Sequence, residues 1–210
     1  MLCPLCKCKE HSVYIQHQRS EYRLCSKCSL VFVIESQRLD ENDEKSRYDL
    51  HVNSPDDEHY RKYLSKVYEP VRDRVKEGSF GLDFGSGPGP TLSKMFEEGG
   101  FKMNIYDHFY AKDEKVLHEG YDFITSSEVV EHLYEPKEVL DALWAIINKE
   151  GILCLLTQPY PSKENFSSWY YKNDPTHVCF FSKESMEFLA NKWMSNLEIV
   201  GKDIFIFRKS

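Results

Sequence analysis

Short apolar segments alternate with segments of helical periodicity along the chain from residue 80 onward. The apolar segments have the length of buried strands, and the segments between them repeat apolar residues at a spacing of three and four. This alternation predicts an α/β fold with a parallel sheet, closed by a hairpin that makes the last strand antiparallel. The predicted elements are strand Phe80–Phe84, helix Thr91–Glu98, strand Lys102–Tyr106, strand Tyr121–Ser126, helix Glu135–Asn148, strand Gly151–Thr157, helix Lys183–Trp193 and a hairpin of Leu197–Val200 with Ile204–Phe207.

The region before this alternation is polar. Residues 35–56 are charged and predict a connector, and a helix begins near Glu58, where acidic residues suit the positive end of a helix. Apolar and aromatic residues keep helical spacing up to Val71, and Pro70 is expected to kink or end the helix. The predicted units are an N-terminal unit at 1–34, the connector and helix at 35–78, and the αβ domain at 79–210.

Two C-x-x-C pairs lie near the N-terminus, Cys3 with Cys6 and Cys25 with Cys28, separated by 18 residues. This spacing is typical of zinc sites with four thiolate ligands. Four thiolates around a tetrahedral Zn²⁺ fold a segment that is too small to bury a core of its own, so we predict a structural zinc ribbon. A redox-active pair of dithiols is the alternative, which the presence of two pairs disfavours. Cys8 is close enough to compete as a ligand, but its spacing fits less well.

The N-terminal unit carries a net charge of +3, whereas the whole chain carries −7. Its basic residues either contact a phosphate backbone or form an ordinary solvated surface, and we favour the solvated surface. The negative charge of the whole chain argues against a nucleic-acid binder that uses its entire surface. The charged residues of the unit are Lys7, Lys9, Arg19, Arg23 and Lys27, with Glu10 and Glu21.

Glycines alternate at positions 85, 87 and 89, between the first predicted strand and the first predicted helix. A sharp turn from strand to helix is expected to point backbone N–H groups outward, and glycine lets a ligand approach them. The spacing G-x-G-x-G differs from the dinucleotide fingerprint, and a glycine-rich turn in some other doubly wound sheet is the alternative. Asp107 follows the second strand, about 20 residues beyond the glycines, where an acid can bind both hydroxyls of a ribose.

Asp83 and the glycines that follow it resemble motif I of the class I S-adenosylmethionine-dependent methyltransferases. The resemblance reaches the methyltransferase-23 and ubiquinone-biosynthesis group only through Glu128–Leu133 and His177. The resemblance implies a Rossmann-like sheet and S-adenosylmethionine as cofactor, with the acid near the methionine amino group and the glycines under the methionine and ribose. It also implies that Tyr48 and His51 cap the methionine carboxylate, although a simple loop and packing helix remain the alternative. The expected cofactor contacts are Tyr48, His51, Asp83, Gly85, Ser86, Gly87, Asp107, Ser127 and Glu128.

Glu128, Glu131 and His132 follow the strand Tyr121–Ser126 at positions i, i+3 and i+4. In a helix this spacing places all three side chains on one face, where two carboxylates and an imidazole form a mixed set of oxygen and nitrogen ligands. The motif E-x-x-E-H-L resembles that of the ubiquinone-biosynthesis O-methyltransferases and of the small-RNA 3′-terminal 2′-O-methyltransferases. The resemblance implies that these residues bind a divalent cation and that His177 completes the ligand set.

Such a cation would lower the pKa of an acceptor hydroxyl and hold its oxygen in line with the methyl group. We therefore predict a methyltransferase that acts on a small hydroxylated molecule, with Glu128, Glu131, His132 and His177 as the catalytic set. Without a cation, His132 or His177 could act as a general base, or the motif could only pack against the adenosine. The alternative functions are an RNA methyltransferase that docks through the ribbon and a non-catalytic binding module.

An aromatic segment follows the last predicted parallel strand. Phe166, Trp169, Tyr170 and Tyr171 lie over the expected substrate side, where they either stack on a planar acceptor or form a satellite core under a long loop. The motif Asn-Pro-Pro-Tyr, which accompanies amino-group methylation of bases, is missing. Its absence weakens the hypothesis of N-methylation.

The composition is typical of a globular protein in water, with 41% hydrophobic and 29% charged residues. No apolar run reaches the roughly 20 residues of a membrane span, and the N-terminus lacks the layout of a signal peptide. We therefore expect a cytoplasmic protein that does not bind membranes, whose cysteines bind metal and do not form disulfides. The pattern does not determine the oligomeric state.

Overall fold

The strands of this computed structural model, which describes residues 1–17, 20–50 and 54–210, form two sheets. The strands are β1 His11–His17, β2 Ser20–Cys25, β3 Val31–Val33, β4 Phe80–Phe84, β5 Lys102–Tyr106, β6 Tyr121–Ser127, β7 Ile147–Leu156, β8 Cys179–Phe180, β9 Asn196–Val200 and β10 Ile204–Arg208. The smaller sheet has the order β1-β2-β3-β8, and the larger one has the order β5-β4-β6-β7-β10-β9.

Helices cover both faces of the larger sheet. Within the ranges that the structure describes, no helix combines the length and apolar character needed to cross a membrane. The α-helices are α1 Glu41–Tyr48, α2 Glu58–Arg72, α3 Thr91–Glu98, α4 Pro136–Ala145, α5 Lys163–Phe166 and α6 Lys183–Trp193. Short 3-10 helices occur at Glu35–Gln37, Glu114–His118, Val130–His132 and Tyr170–Asn173.

The larger sheet has the predicted Rossmann-like arrangement. Strands β5, β4, β6 and β7 are parallel neighbours, and β10 runs antiparallel between β7 and β9. Both faces of β7 are buried, since Ile152 and Cys154 pack with α2 and α3 while Leu153 and Leu155 pack with α4 and α6. A parallel strand that is buried on both faces has a continuous apolar sequence, which is why this strand was predictable.

Most predicted elements are confirmed, and three differ. The predicted helix Glu135–Asn148 ends at Ala145, and the strand predicted as Gly151–Thr157 begins four residues earlier, because Ile147 pairs with Tyr121 and begins β7. The polar connector contains helix α1, whose first turn is capped by the Asp40 side chain. Because α1 buries none of its residues, it has no apolar periodicity from which it could have been predicted. The other helix of this region, α2, continues two residues beyond Pro70.

The N-terminal unit is joined to the rest of the chain by backbone pairing. Its strand β3 is antiparallel to β8, which lies just after His177. The Val33 N–H donates to the Val178 carbonyl oxygen at 3.0 Å, and the Val178 N–H donates to the Glu131 carbonyl oxygen at 2.8 Å. The residues around His177 therefore lie between the N-terminal unit and the end of β6.

Candidate active site

A cavity of about 640 Å³, here called the central cavity, opens at the carboxyl ends of β4, β5 and β6. Its wall consists of the residues that follow these strands, residues of α1 and α2, and Asp174 and His177 from the segment before β8. The carboxyl edge of a parallel sheet is where ligands bind in open α/β folds. The cavity reaches from Gly85 and Gly87 at one end to His132 and His177 at the other.

The glycine turn needs glycine for two different reasons. At Gly85, where φ is +79°, a Cβ would lie 2.3 Å from a methyl carbon of Val129, so both conformation and space exclude a side chain. At Gly87, φ is +65° and the space above the Cα is open, which leaves room for a ligand against the backbone.

The sequence suggested that the amides of this turn point outward, but the first three of them donate hydrogen bonds within the protein. The N–H groups of Gly85 and Ser86 donate to the carbonyl oxygen of Tyr106, at 2.7 and 3.2 Å. The Gly87 N–H donates to Oδ2 of Asp107 at 2.9 Å. The expectation was wrong because the turn folds back onto the end of the neighbouring strand β5, and its first three donors are satisfied there.

Asp107 lines the central cavity and also organises the loop after β5. Its Oδ1 accepts from the N–H groups of Phe109 and Tyr110, at 2.9 and 3.1 Å, and its Oδ2 accepts from Gly87. A carboxylate has about four acceptor positions, so about one remains for a ligand hydroxyl.

Asp83 lies below the cavity and does not line it. Its Oδ1 accepts a 3.0 Å hydrogen bond from the hydroxyl of Thr125, and only 3% of the residue is exposed. Burial raises the pKa of Asp83 to about 6, against the opposing effect of the Thr125 hydrogen bond. The folded protein therefore holds a costly buried carboxylate at neutral pH.

This cost predicts a pH-dependent effect of Asp83→Asn. The pKa of Asp83 is raised by folding, so its contribution to stability is complete below the unfolded pKa of 3.8 and is lost as pH rises through about 6. Asparagine does not ionise. As the pH rises from 4 to 7.5, the unfolding free energy of the wild type should therefore fall by about 2 kcal/mol relative to that of Asp83→Asn. Urea unfolding of both proteins over this range measures it, and a constant difference would contradict the prediction.

The other expected cofactor contacts are distributed around the cavity. Tyr48 lines it, although its hydroxyl donates to Glu44 at 2.8 Å and its ring packs edge-on against His132. His51 lies outside the described residues. Ser86 and Ser127 also line the cavity, and in the part of the chain that is described their buried hydroxyl oxygens have no hydrogen-bond partner. Buried polar atoms without partners are rare in folded proteins, so these hydroxyls fit a polar ligand.

Glu131, His132 and His177 form a cluster, here called the cation cluster, in which one potential ligand atom from each lies within 4.8 Å of the others. His132 Nδ1 lies 3.2 Å from the Thr176 carbonyl oxygen, and His177 Nδ1 lies 2.6 Å from that of Tyr171. A carbonyl oxygen only accepts, so each Nδ1 carries the hydrogen. In each neutral imidazole Nε2 is then the nitrogen with the lone pair that a metal needs.

Glu128 lies beside the cation cluster without joining it. The segment is not helical throughout, because Glu128 has a left-handed backbone (φ 55°) and a single 3-10 turn follows at Val130–His132. The left-handed residue ends β6 and directs the chain into the cavity wall. Glu128 accepts hydrogen bonds from the hydroxyls of Tyr63, at 2.9 Å, and Tyr171, at 3.0 Å.

Glu131 is fully buried, and burial raises its pKa to about 8, with a further rise from the charge of Glu128. Its Oε1 accepts from the hydroxyl of Tyr171, while its Oε2 has no hydrogen-bond partner among the described residues. A buried carboxylate that has one oxygen without a hydrogen-bond donor binds either a proton or a cation. The observed donor set, one carboxylate and two imidazoles, fits a divalent transition metal or Mg²⁺ with open positions.

Of the two predicted roles of the aromatic segment after β7, the structure shows the satellite core, and none of its four aromatic residues lines the central cavity. Phe166 is fully buried and packs edge-on against Tyr22 and Phe180, so it joins a core with the N-terminal unit. Tyr171 lies against the carboxylates of Glu128 and Glu131. The sequence predicted Tyr171 only as a stacking or core residue on the substrate side and gave no indication of its contacts with the carboxylates.

The four cysteines of the two C-x-x-C pairs converge. The Sγ atoms of Cys3 and Cys28 are 3.5 Å apart, those of Cys6 and Cys25 are 3.4 Å apart, and all four lie within 4.8 Å of one another. These distances are too long for disulfides and close to the edge of about 3.8 Å that Zn–S bonds of about 2.3 Å give a tetrahedron. Cys8 is outside this group, and its Sγ accepts from the Glu10 N–H.

Comparison with known proteins supports the same fold. The sequence profile of a family described as a methyltransferase domain matches residues 57–200. The structure is similar to that of magnesium protoporphyrin IX methyltransferase (ChlM) from Synechocystis PCC 6803 with bound SAH, with TM-score 0.56, 14% identity and coverage of 80% of this chain and 94% of that one.

Two further solved structures are similar. An O-methyltransferase family protein from Burkholderia thailandensis has TM-score 0.51 and 12% identity, with coverage of 80% of this chain and 63% of that one. DesVI from Streptomyces venezuelae has TM-score 0.50 and 15% identity, with coverage of 82% and 100%. At these identities the likeness concerns the fold alone, and no curated protein matches the sequence.

Proposed function

The chain belongs to the methyltransferase domain family and is a class I S-adenosylmethionine-dependent methyltransferase, and we propose that it methylates a hydroxyl group of a small acceptor molecule. The observation that carries the proposal is the continuity of the central cavity. It joins the glycine turn, where the cofactor is expected, to His132 and His177 of the cation cluster. A methyl donor and a cation-bound hydroxyl would therefore meet in one enclosed space.

The charges and rings of the cavity suit S-adenosylmethionine, which carries a positive sulfonium and a positive amino group. The lining contains Asp107 and Glu128 and the aromatic rings of Tyr48, Tyr60 and Tyr63, and aromatic faces attract cations. The hydroxyls of Ser86 and Ser127 offer polar contacts to a nucleoside. The open space above Gly87 lets the nucleoside approach the backbone closely.

The same lining favours an acceptor without phosphate groups. Among the described residues, no lysine or arginine lines the central cavity, whereas phosphate recognition depends on such residues. Part of the basic charge of the N-terminal unit is also used within the protein. Lys7 forms ion pairs with Glu135 and Glu138, and Arg23 pairs with Glu21. These pairs support a small-molecule acceptor over an RNA that docks on the ribbon.

We propose that Glu131, His132 and His177 hold a divalent cation, with Glu128 beside them. The buried Oε2 of Glu131 and the Nδ1 hydrogen bonds of both histidines fit such an ion. When bound, the ion supplies Lewis-acid chemistry that lowers the pKa of the acceptor hydroxyl. The protein residues orient the acceptor oxygen toward the methyl group, and positioning contributes much of the rate of a one-step displacement.

We also propose that Cys3, Cys6, Cys25 and Cys28 bind a structural zinc ion. The hydrogen bond from Cys28 lowers the pKa of the Cys3 thiol to about 5, whereas burial raises that of Cys6 to about 12. Four thiols this close together can all ionise only when a cation neutralises their charge, and a bound metal ion deprotonates its thiol ligands. Zinc would thereby stabilise the N-terminal unit, residues 1–34.

A crystal grown with S-adenosylhomocysteine and Mn²⁺ tests the proposal. We expect the nucleoside above Gly87, an anomalous manganese peak between Glu131, His132 and His177, and an anomalous zinc peak among the four cysteines. A nucleoside bound away from the glycine turn would contradict the cofactor assignment. A manganese peak that is absent from the cation cluster would contradict cation-assisted O-methylation.

A further inference from the structure

We propose that Tyr171 positions the side chains of the divalent-cation site. Its hydroxyl contacts the carboxylates of Glu128 and Glu131, and its carbonyl oxygen and ring contact the imidazole of His177. This inference rests on the proposed function, since it concerns the cation that Glu131, His132 and His177 would hold. Tyr171 contacts ligands and not the reacting atoms, so it is a positioning residue.

The hydroxyl of Tyr171 connects Glu128 and Glu131. It lies 3.0 Å from Oε2 of Glu128 and within hydrogen-bond distance of Oε1 of Glu131, and its oxygen is 3.4 Å from Oγ1 of Thr157. A phenol has one hydrogen to donate, so the two carboxylates share a single donor. Oε1 of Glu131 is thereby hydrogen-bonded, and Oε2 is the oxygen without a partner in the described structure.

The backbone and ring of Tyr171 hold His177. The Tyr171 carbonyl oxygen accepts from Nδ1 of His177 at 2.6 Å, and the two ring centroids are 4.2 Å apart. The carbonyl selects the tautomer in which Nε2 carries the lone pair, and the ring contact restricts rotation of the imidazole. Hydrogen bonds of this kind to metal ligands typically change metal affinity by about 10- to 100-fold.

Tyr171 is itself rigid, which a positioning residue requires. Only 5% of it is exposed, and its ring also packs against Trp169 at 5.0 Å. Its neighbour Tyr170 is 65% exposed, and its hydroxyl exchanges hydrogen bonds with the side chain of Gln158. The Tyr170 ring lies edge-on to that of Tyr171, a contact that phenylalanine at position 170 keeps. The chain therefore offers a matched pair of adjacent tyrosines, of which one is placed to act on the cation site.

The test compares Tyr171→Phe with Tyr170→Phe in the zinc-loaded protein, with Mn²⁺ as the probe. The first change removes the shared donor and keeps the carbonyl and most of the ring packing. We expect the dissociation constant for Mn²⁺, measured by electron paramagnetic resonance, to rise about 10- to 100-fold in Tyr171→Phe and to stay unchanged in Tyr170→Phe. S-adenosylhomocysteine binding and zinc content should be the same in both variants and in the wild type.

The outcomes separate this inference from the proposed function. Wild-type protein that binds no Mn²⁺ would overturn the proposed cation site, and the role of Tyr171 with it. Wild-type protein that binds Mn²⁺, together with Tyr171→Phe that binds it equally well, would overturn the role of Tyr171 alone.

A measurement on the wild type covers the case in which Tyr171→Phe does not fold. In protein with ¹³C-labelled tyrosine, Mg²⁺ should shift the Cζ resonance of Tyr171, because a cation bound to Glu131 changes the electric field and the hydrogen bonding at the Tyr171 hydroxyl. The Tyr170 resonance, assigned from Tyr170→Phe, should stay in place. A Tyr171 resonance that does not respond to saturating Mg²⁺ would overturn the inference.

Discussion

Replacing Glu131 with Gln is expected to lower the rate of methyl transfer about 100- to 1,000-fold while S-adenosylmethionine binding is retained. Glutamine keeps an oxygen that can accept from Tyr171, but it places an NH₂ group where the second carboxylate oxygen lies. That group has no lone pair for a cation, and the charge that would balance the cation is lost. Several kcal/mol of transition-state stabilisation depend on the cation under the proposed mechanism.

The measurement is a methyl-transfer assay at saturating cofactor with added Mg²⁺ or Mn²⁺, together with calorimetric titration of S-adenosylmethionine. Glu187→Gln is the matched control, because Glu187 is exposed on α6, pairs with Lys183 and does not line the central cavity. The control should retain wild-type transfer. Full activity of Glu131→Gln would show that no cation at this position assists the reaction.

Replacing Cys28 with Ser is expected to abolish zinc binding and, as a consequence, to weaken Mn²⁺ binding at the cation cluster. For such small segments the free energy of zinc binding, on the order of 10 kcal/mol in zinc-finger peptides, is also the free energy of folding. The N-terminal unit lies next to the cation cluster through β3, since Val33 pairs with Val178 and Val178 with Glu131. Loss of the zinc should therefore release the segment that carries His177.

Metal analysis of the purified protein and Mn²⁺ titration measure the two effects. Cys8→Ser is the matched control, because Cys8 lies in the same unit but outside the group of four thiols. It should retain both metals. One equivalent of zinc in Cys28→Ser would contradict the ligand assignment, and unchanged Mn²⁺ affinity after zinc loss would contradict the coupling through β3 and β8.

Several features of this protein were determined by the sequence itself, because their physical causes are local. The strand Phe80–Phe84 and the helix Thr91–Glu98 follow from periodicity, and both begin and end at the predicted residues. The spacing of the cysteines predicted the group of four thiols, since two short C-x-x-C turns each present a pair of ligands from one place. The alternation of strands and helices predicted the parallel sheet and its antiparallel end.

The arrangement of the site was decided only by the tertiary structure. The amides of the glycine turn are satisfied by β5, and Asp83 lies below the cavity, because both depend on how neighbouring strands pack. Tyr171 reaches Glu128 and Glu131 from 43 and 40 residues further along the chain. Such contacts have no local signature in the sequence. They depend on the order of the strands and on β8 joining the N-terminal sheet, which brings the His177 segment over the end of β6.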